Sequence, residues 1–190
     1  KIIDLDVEER PTGEISVTAG FGTNGETIGA GLKENNFLGK GINLNTNFEI
    51  TADSIKGQFI YAKPNFNYSD NTLFTSFKSS SSDFLSNSGY KTSELGFSLG
   101  TKFEQFQNIY LSPEIDFLIE DLETSSKASN TIKKQEGSYT DLYFNYSINQ
   151  DLRDKKFRTE DGFVTTFSQE LPIISDNSEL SNSFDITTFK

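Results

Sequence analysis

Apolar residues recur at every second position in segment after segment of the chain. Ile15, Val17, Ala19 and Phe21 alternate with Glu14, Ser16, Thr18 and Gly20. Ile42, Leu44, Thr46, Phe48 and Ile50 alternate with Asn43, Asn45, Asn47 and Glu49. Leu95, Phe97, Leu99, Thr101 and Phe103 do so with Glu94, Gly96, Ser98, Gly100 and Lys102, and similar runs cover 111–120, 142–149, 163–167 and 180–186. Successive side chains of a strand point to opposite faces, so this period predicts strands with one apolar and one polar face. Almost nothing reads as an amphipathic helix. Turn signals separate the runs: Thr23-Asn24-Gly25, Asn36 to Gly41, Ala52-Asp53-Ser54, Pro64-Asn65 and Glu160-Asp161-Gly162. Asn-Gly and similar pairs tolerate the positive φ of tight hairpins. About ten hairpin-linked strands follow the first dozen residues.

Two architectures fit such strands. In a soluble sandwich the apolar faces pack on each other. In a membrane barrel they face lipid, and the polar faces line a wet interior. Three features favour an antiparallel up-and-down transmembrane barrel. Several runs reach the roughly 9–11 residues that cross a bilayer when tilted. The apolar stripes carry no mid-strand charge, which on the lipid face costs about 2–4 kcal/mol for Lys or Arg. Phe37, Tyr61, Phe66, Tyr68, Phe106, Tyr110 and Phe157 lie near run ends, as interfacial girdles require. The connections alternate between two sets, and 80–92 and 121–138 are the longest and most polar. Long loops belong on the outer side of such barrels, so the set containing them is expected to face out. The Ser79 to Ser82 run within 80–92 reads as low-complexity loop.

Composition narrows the chemistry. The 190 residues carry a formal net charge of −11, which argues against nucleic acid, whose phosphates call for clustered Lys and Arg. Hydrophobic residues make up only 34%, yet aromatics reach 13%, too many for a disordered chain. The chain has no Cys, so no disulfide and no thiolate, and no His, so neither a Ser–His pair nor an imidazole metal ligand. Without Met, it reads as processed or as a piece of something longer. Gly20 to Gly25 fits the spacing of a dinucleotide-binding loop, but another alternating run follows where a helix is needed. Gly96-Phe97-Ser98-Leu99-Gly100 fits a hydrolase elbow, but Ser98 falls mid-strand. Glu114, Asp116, Glu120, Asp121 and Glu123 offer oxygens for calcium but lack a binding-loop spacing, so they read as a solvated interior and loop top.

With the pattern in hand, several stretches resemble one family. Val7-Glu8-Glu9-Arg10-Pro11-Thr12-Gly13, running on through Glu14 to Thr23, resembles the junction between the last POTRA domain and the first barrel strand in the BamA family (bacterial surface antigen, POTRA plus barrel). Lys33 to Gly41, Lys63-Pro64-Asn65-Phe66, and Asp151-Leu152-Arg153-Asp154 with Phe157, Thr159, Asp161 and Gly162 resemble its next turns on the periplasmic side. In the last of these, Arg158-Thr159-Glu160 stands where the family usually carries a Pro-Thr pair. The resemblance implies that residues 1–10 end a POTRA domain and that 11–190 form about ten strands of a sixteen-strand barrel. The family's Val-Arg-Gly-Phe loop and final strand would lie beyond Lys190. It further implies a bacterial outer-membrane location, no enzymatic activity and no cofactor or metal. The implied partners are unfolded β-barrel clients, accessory lipoproteins of the assembly complex and the lipid bilayer. In such a factor a client's terminal strand would add to the edge of the first strand, at Glu14, Ile15, Ser16, Val17, Thr18, Ala19, Gly20 and Phe21. Gly20, Gly22, Gly29 and Gly31 would keep that region thin. A passive porin, a TamA-type translocation factor and a soluble β-sandwich remain as other readings.

Overall fold

The structure is a computed structural model that describes residues 11–22, 25–175 and 180–189. Its strands are β1 (Gly13–Gly22), β2 (Gly25–Phe37), β3 (Ile42–Thr51), β4 (Ser54–Lys63), β5 (Thr72–Phe84), β6 (Tyr90–Phe106), β7 (Ile109–Thr124), β8 (Gly137–Asp151), β9 (Gly162–Ile174) and β10 (Ser181–Phe189). They form one ten-stranded antiparallel sheet in chain order, each strand bonded only to its sequence neighbours. A four-residue helix, α1 (Asn130–Lys133), decorates the β7–β8 connection, with the Ser129 side chain capping its first turn. The predicted preceding-domain residues, 1–10, lie outside the described residues, as do Thr23 and Asn24 of the first hairpin.

The burial pattern separates the two architectures. Along the middle of β6, Leu95, Phe97 and Leu99 are exposed while Gly96, Ser98 and Gly100 are buried. Phe97 is 50% exposed and Ser98 only 4%. A sandwich buries its apolar face, and this sheet buries its polar one. Among the described residues no second sheet covers the apolar side and no large side chain is fully buried. Exposed Ile28, Phe48, Phe59, Phe77, Phe97, Phe117, Ile148 and Phe184 continue that apolar surface across the strands. Such a surface suits hydrocarbon, not water.

The inner face is packed by small residues beneath longer neighbours. A Cβ on Gly100 would lie 2.4 Å from Cζ of Phe74, its cross-strand partner's ring. A Cβ on Gly96 would lie 2.4 Å from Cε of Lys78. Glycine in these positions lets Phe74 and Lys78 lie flat across β6. Ser76 and Ser98 meet hydroxyl to hydroxyl at 2.8 Å, and the Thr75 hydroxyl donates to the Ser98 carbonyl at 2.6 Å. Ser98 is therefore a packed wall residue in mid-strand, as its position in the run predicts. Prolines sit where the ladder can spare a donor. The β6–β7 pairing skips Ser112 and Pro113, and Pro172 adjoins the irregular step between Leu142 and Tyr143.

Three expectations need correction. First, 80–92 is not a long loop. Ser79 to Ser82 belong to β5, paired with Gly57 to Ser54 on one side and Leu95 to Thr92 on the other. Second, β7 continues to Thr124 and β8 begins at Gly137, so the long connection is shorter than 121–138. Both strands outrun the apolar band, where water wets both faces and the alternation that marks a strand is no longer required. Third, Tyr110 is not part of a lipid-side girdle. It shares the inner face with Ser112 and Glu114, and the ammonium groups of Lys102 and Lys156 stand 5.4 and 5.6 Å from its ring centre.

The β8–β9 turn holds its shape without a proline. Arg158 has φ 54°, a value closed to proline. The turn is held instead by Asp154, whose carboxylate accepts from the backbone N–H groups of Glu160 at 3.1 Å and Asp161 at 3.2 Å. Those bonds, led by the one from Asp161, hold the Asp154 carboxyl below its ordinary pKa.

Two measurements check these points. Phe97→Arg places a cation on the outward face at mid-strand and is expected to destabilise the folded protein in lipid by about 2–4 kcal/mol, read by urea unfolding in vesicles. Because the folded Asp154 pKa is depressed, its contribution is complete above the ordinary aspartate range and is lost as pH falls through the lowered value. The amide resonances of Glu160 and Asp161 should hold steady through the ordinary aspartate range and shift together only at lower pH. Asp154→Asn should remove that transition.

Candidate functional site: the free edge of the first strand

All eight residues expected at a strand-accepting edge, Glu14 to Phe21, fall within β1. The register runs from Gly13 opposite Glu34 to Gly22 opposite Gly25, with no bulge. Ile15, Val17, Ala19 and Phe21 pair with Leu32, Ala30, Ile28 and Glu26 on the outer face. Glu14, Ser16, Thr18 and Gly20 pair with Lys33, Gly31, Gly29 and Thr27 on the inner face. An antiparallel strand spends alternate backbone groups on each neighbour, so one neighbour leaves half of them open. Among the described residues β1 has only β2 beside it, and Val17 is 75% exposed. The structure thus brings the eight residues together as a regular edge, unpaired among the described residues and bordered by apolar side chains.

The base of this hairpin is fastened on one side of the apolar band. The Thr12 hydroxyl donates to a Glu34 carboxylate oxygen, which also accepts the Asn36 N–H at 2.7 Å. In the turn that follows, Gly41 N–H donates to the Asn36 side-chain oxygen at 2.7 Å, and Leu38, Gly39 and Gly41 all take positive φ. Apart from these bonds around Glu34, β1 is held by its ladder to β2, which is itself paired with β3.

The glycines do different work at different positions. A Cβ on Gly29 would stand 2.5 Å from the Thr18 hydroxyl oxygen, and one on Gly31 would stand 2.6 Å from the Ser16 hydroxyl oxygen. Gly31 also faces the Asn47 side-chain oxygen at 3.0 Å. These two glycines make room for the β1 hydroxyls to lie over β2. Gly20 meets nothing within 4 Å, so no contact requires it. Behind this ribbon the inner face opens into a polar hollow of about 710 Å³, with Ser16, Thr18, Asn47, Lys56 and Gln58 in its wall. At its far side Lys78 pairs with Glu94 at 2.9 Å. Sequence reading did not connect these residues, although the period of two already puts them on one face.

The other motifs fall into place as wall. A strand, β2, follows Gly25, so no helix N-terminus is available for a dinucleotide phosphate. The acidic stretch splits by alternation: Glu114, Asp116 and Glu120 face inward, Asp121 and Glu123 outward. Among the described residues no three carboxylates converge closely enough to hold a metal ion.

An up-and-down sheet with lipid-facing apolar side chains and a polar inner face is part of the wall of a membrane β-barrel. The model of the Omp85 superfamily domain matches residues 36–189, and the chain belongs to that superfamily, the bacterial outer-membrane β-barrels of this type. The match begins after the β1 edge. Among solved structures, the fold is that of BamA from Haemophilus ducreyi lacking POTRA domains 1–3, with a TM-score of 0.72 at 21% identity. That likeness covers 94% of this chain and 37% of the other, so this chain spans little more than a third of that protein's length. No curated protein matches the chain.

The glycine contacts predict a contrast. Gly31→Val forces the Ser16 side chain aside and is expected to destabilise the hairpin by about 1–3 kcal/mol. Gly20→Ala should change stability by no more than about 0.5 kcal/mol. Amide hydrogen exchange along β1 in the lipid-embedded protein distinguishes the two.

Proposed function

We propose that this chain is the N-terminal part of the barrel of an outer-membrane assembly factor that folds and inserts β-barrel clients, with β1 as the template edge. The observation that carries the proposal is the open edge of β1 at the boundary of an apolar surface. Unpaired N–H and C=O groups in or near hydrocarbon are costly, and a client strand that supplies their partners relieves that cost on both sides. Backbone pairing is largely indifferent to side chains, which suits a machine with many clients. Ile15, Val17 and Phe21 then continue the lipid-facing surface onto the client, while Ser16 and Thr18 keep the inner side wet. No covalent bond is made or broken, so the role is not enzymatic. A preceding POTRA domain over residues 1–10, unfolded clients and accessory lipoproteins as partners belong to this proposal.

Proline scanning across Val17 and Thr18 in the full-length protein tests it. Neighbouring residues send their N–H groups to opposite sides, so one proline removes a β1–β2 bond and the other removes an edge donor. The edge-side proline should leave a barrel that still resists detergent unfolding while client assembly in cells falls at least tenfold. Undiminished assembly with both prolines overturns the template role. Steady single-channel conductance without any assembly defect in a deletion strain would make the protein a passive channel.

A further inference from the structure

None of the four strands β7, β8, β9 and β10 carries a Lys or Arg. Their inner face carries Glu114, Asp116, Glu120, Asp141, Glu170 and Asp185, as the cross-strand registers place them. The inner face of β1 to β6 is balanced instead, with Lys33, Lys56, Lys78 and Lys102 among its acids. Four of the ten strands thus present acids and no Lys or Arg to the interior, and low-dielectric walls strengthen such a field.

One place on this wall is built more deeply than the rest. Asp141 is 5% exposed and lines a cavity of about 730 Å³ with Glu94, Glu120, Tyr139, Tyr143 and Gln135. Among the described residues nothing hydrogen-bonds or ion-pairs with Asp141. Leu118 stands directly opposite it, and Glu120 lies diagonally beside it across the same pair of strands. Glu94 is already matched by Lys78 at 2.9 Å; Lys78 also attracts Glu120, but among the described residues Glu120 forms no ion pair of its own. A buried carboxylate with no cation, next to a second one, is an unfavourable arrangement that a bound cation relieves.

The spacing selects the kind of cation. Among the described residues no three carboxylates converge as a metal ion needs. The charges are instead spread along the strand direction. Two residues of strand span about 7 Å, so Glu114, Asp116 and Glu120 mark a ladder of roughly 7 and 14 Å steps, with Asp141 beside its upper end. That suits a flexible chain with ammonium groups several ångströms apart. Tyr139 and Tyr143 add aromatic faces near the deepest carboxylate, which favour ammonium over a hydrated metal. We propose that the cavity around Asp141 and Glu120 binds a linear aliphatic polyamine, its outer amines running down the acidic wall. This goes beyond the assembly role and does not depend on the β1 edge.

The test is calorimetric titration of the full-length protein in nanodiscs with spermine, at physiological ionic strength. Saturable binding is expected, weakened at least tenfold in Asp141→Asn and in Glu120→Gln, and less than twofold in Asp185→Asn, which lies outside the cavity. Magnesium at equal charge concentration and a neutral polyether of similar length should bind at least tenfold more weakly. If Asp141→Asn fails to fold, Glu120→Gln carries the comparison. The proposal is overturned if spermine binds no better than magnesium, if all three variants weaken it equally (a diffuse ion atmosphere), or if only an oligolysine peptide binds.

Discussion

A backbone in hydrocarbon has no water to bond, and every other property of this sheet follows from that constraint. Each strand must give its N–H and C=O groups to neighbouring strands, so the chain crosses the membrane as a meander of adjacent hairpins. Once the ladder is satisfied, the outward side chains need only be apolar, and they need no partners. Phe97 at half exposure and Ser98 almost covered are two readings of the same requirement. The prolines confirm it from the other direction, since Pro113 and Pro172 stand where pairing is skipped or irregular.

Most of this architecture is legible in the sequence because the constraint writes itself with a period of two. Runs such as 42–50 and 95–103 fix strand, face and approximate length together. Legibility ends where the constraint ends. Beyond the lipid, Ser79 to Ser82 can be serine on both faces and still be strand, because cross-strand bonding to β4 and β6 continues without an apolar stripe. Tyr110 escapes the pattern for a related reason. An aromatic near a strand end suits an interface equally well from either face, and only the register puts it inward, beneath two lysines.

The candidate edge was legible as a strand, and its residues stand where the alternation puts them. What the sequence could not supply is the reason for each glycine. Gly29 and Gly31 are set by the hydroxyls of Thr18 and Ser16 across the register, which depends on the turn between β1 and β2 and not on either residue alone. Gly20, in the same composition and on the same hairpin, answers to no contact. The acidic part of the inner wall had a plainer signal: the absence of Lys and Arg from four successive strands. It becomes meaningful only when the registers set Asp141 and Glu120 side by side.

The strict neighbour-to-neighbour order of the strands also bears on how such a wall comes into being. Among the described residues no strand pairs with another that is not adjacent in the chain, so each pairing closes a loop no longer than the turn between two strands. Loop-closure entropy stays small at every step, because each pairing joins strands that follow one another in the chain. The sheet behaves as a one-dimensional stack whose growth adds one hairpin at a time to a moving front. A structure of this kind can stop at many intermediate widths without reorganising what is already built, and at each width the front strand presents the same unsatisfied edge to whatever strand comes next.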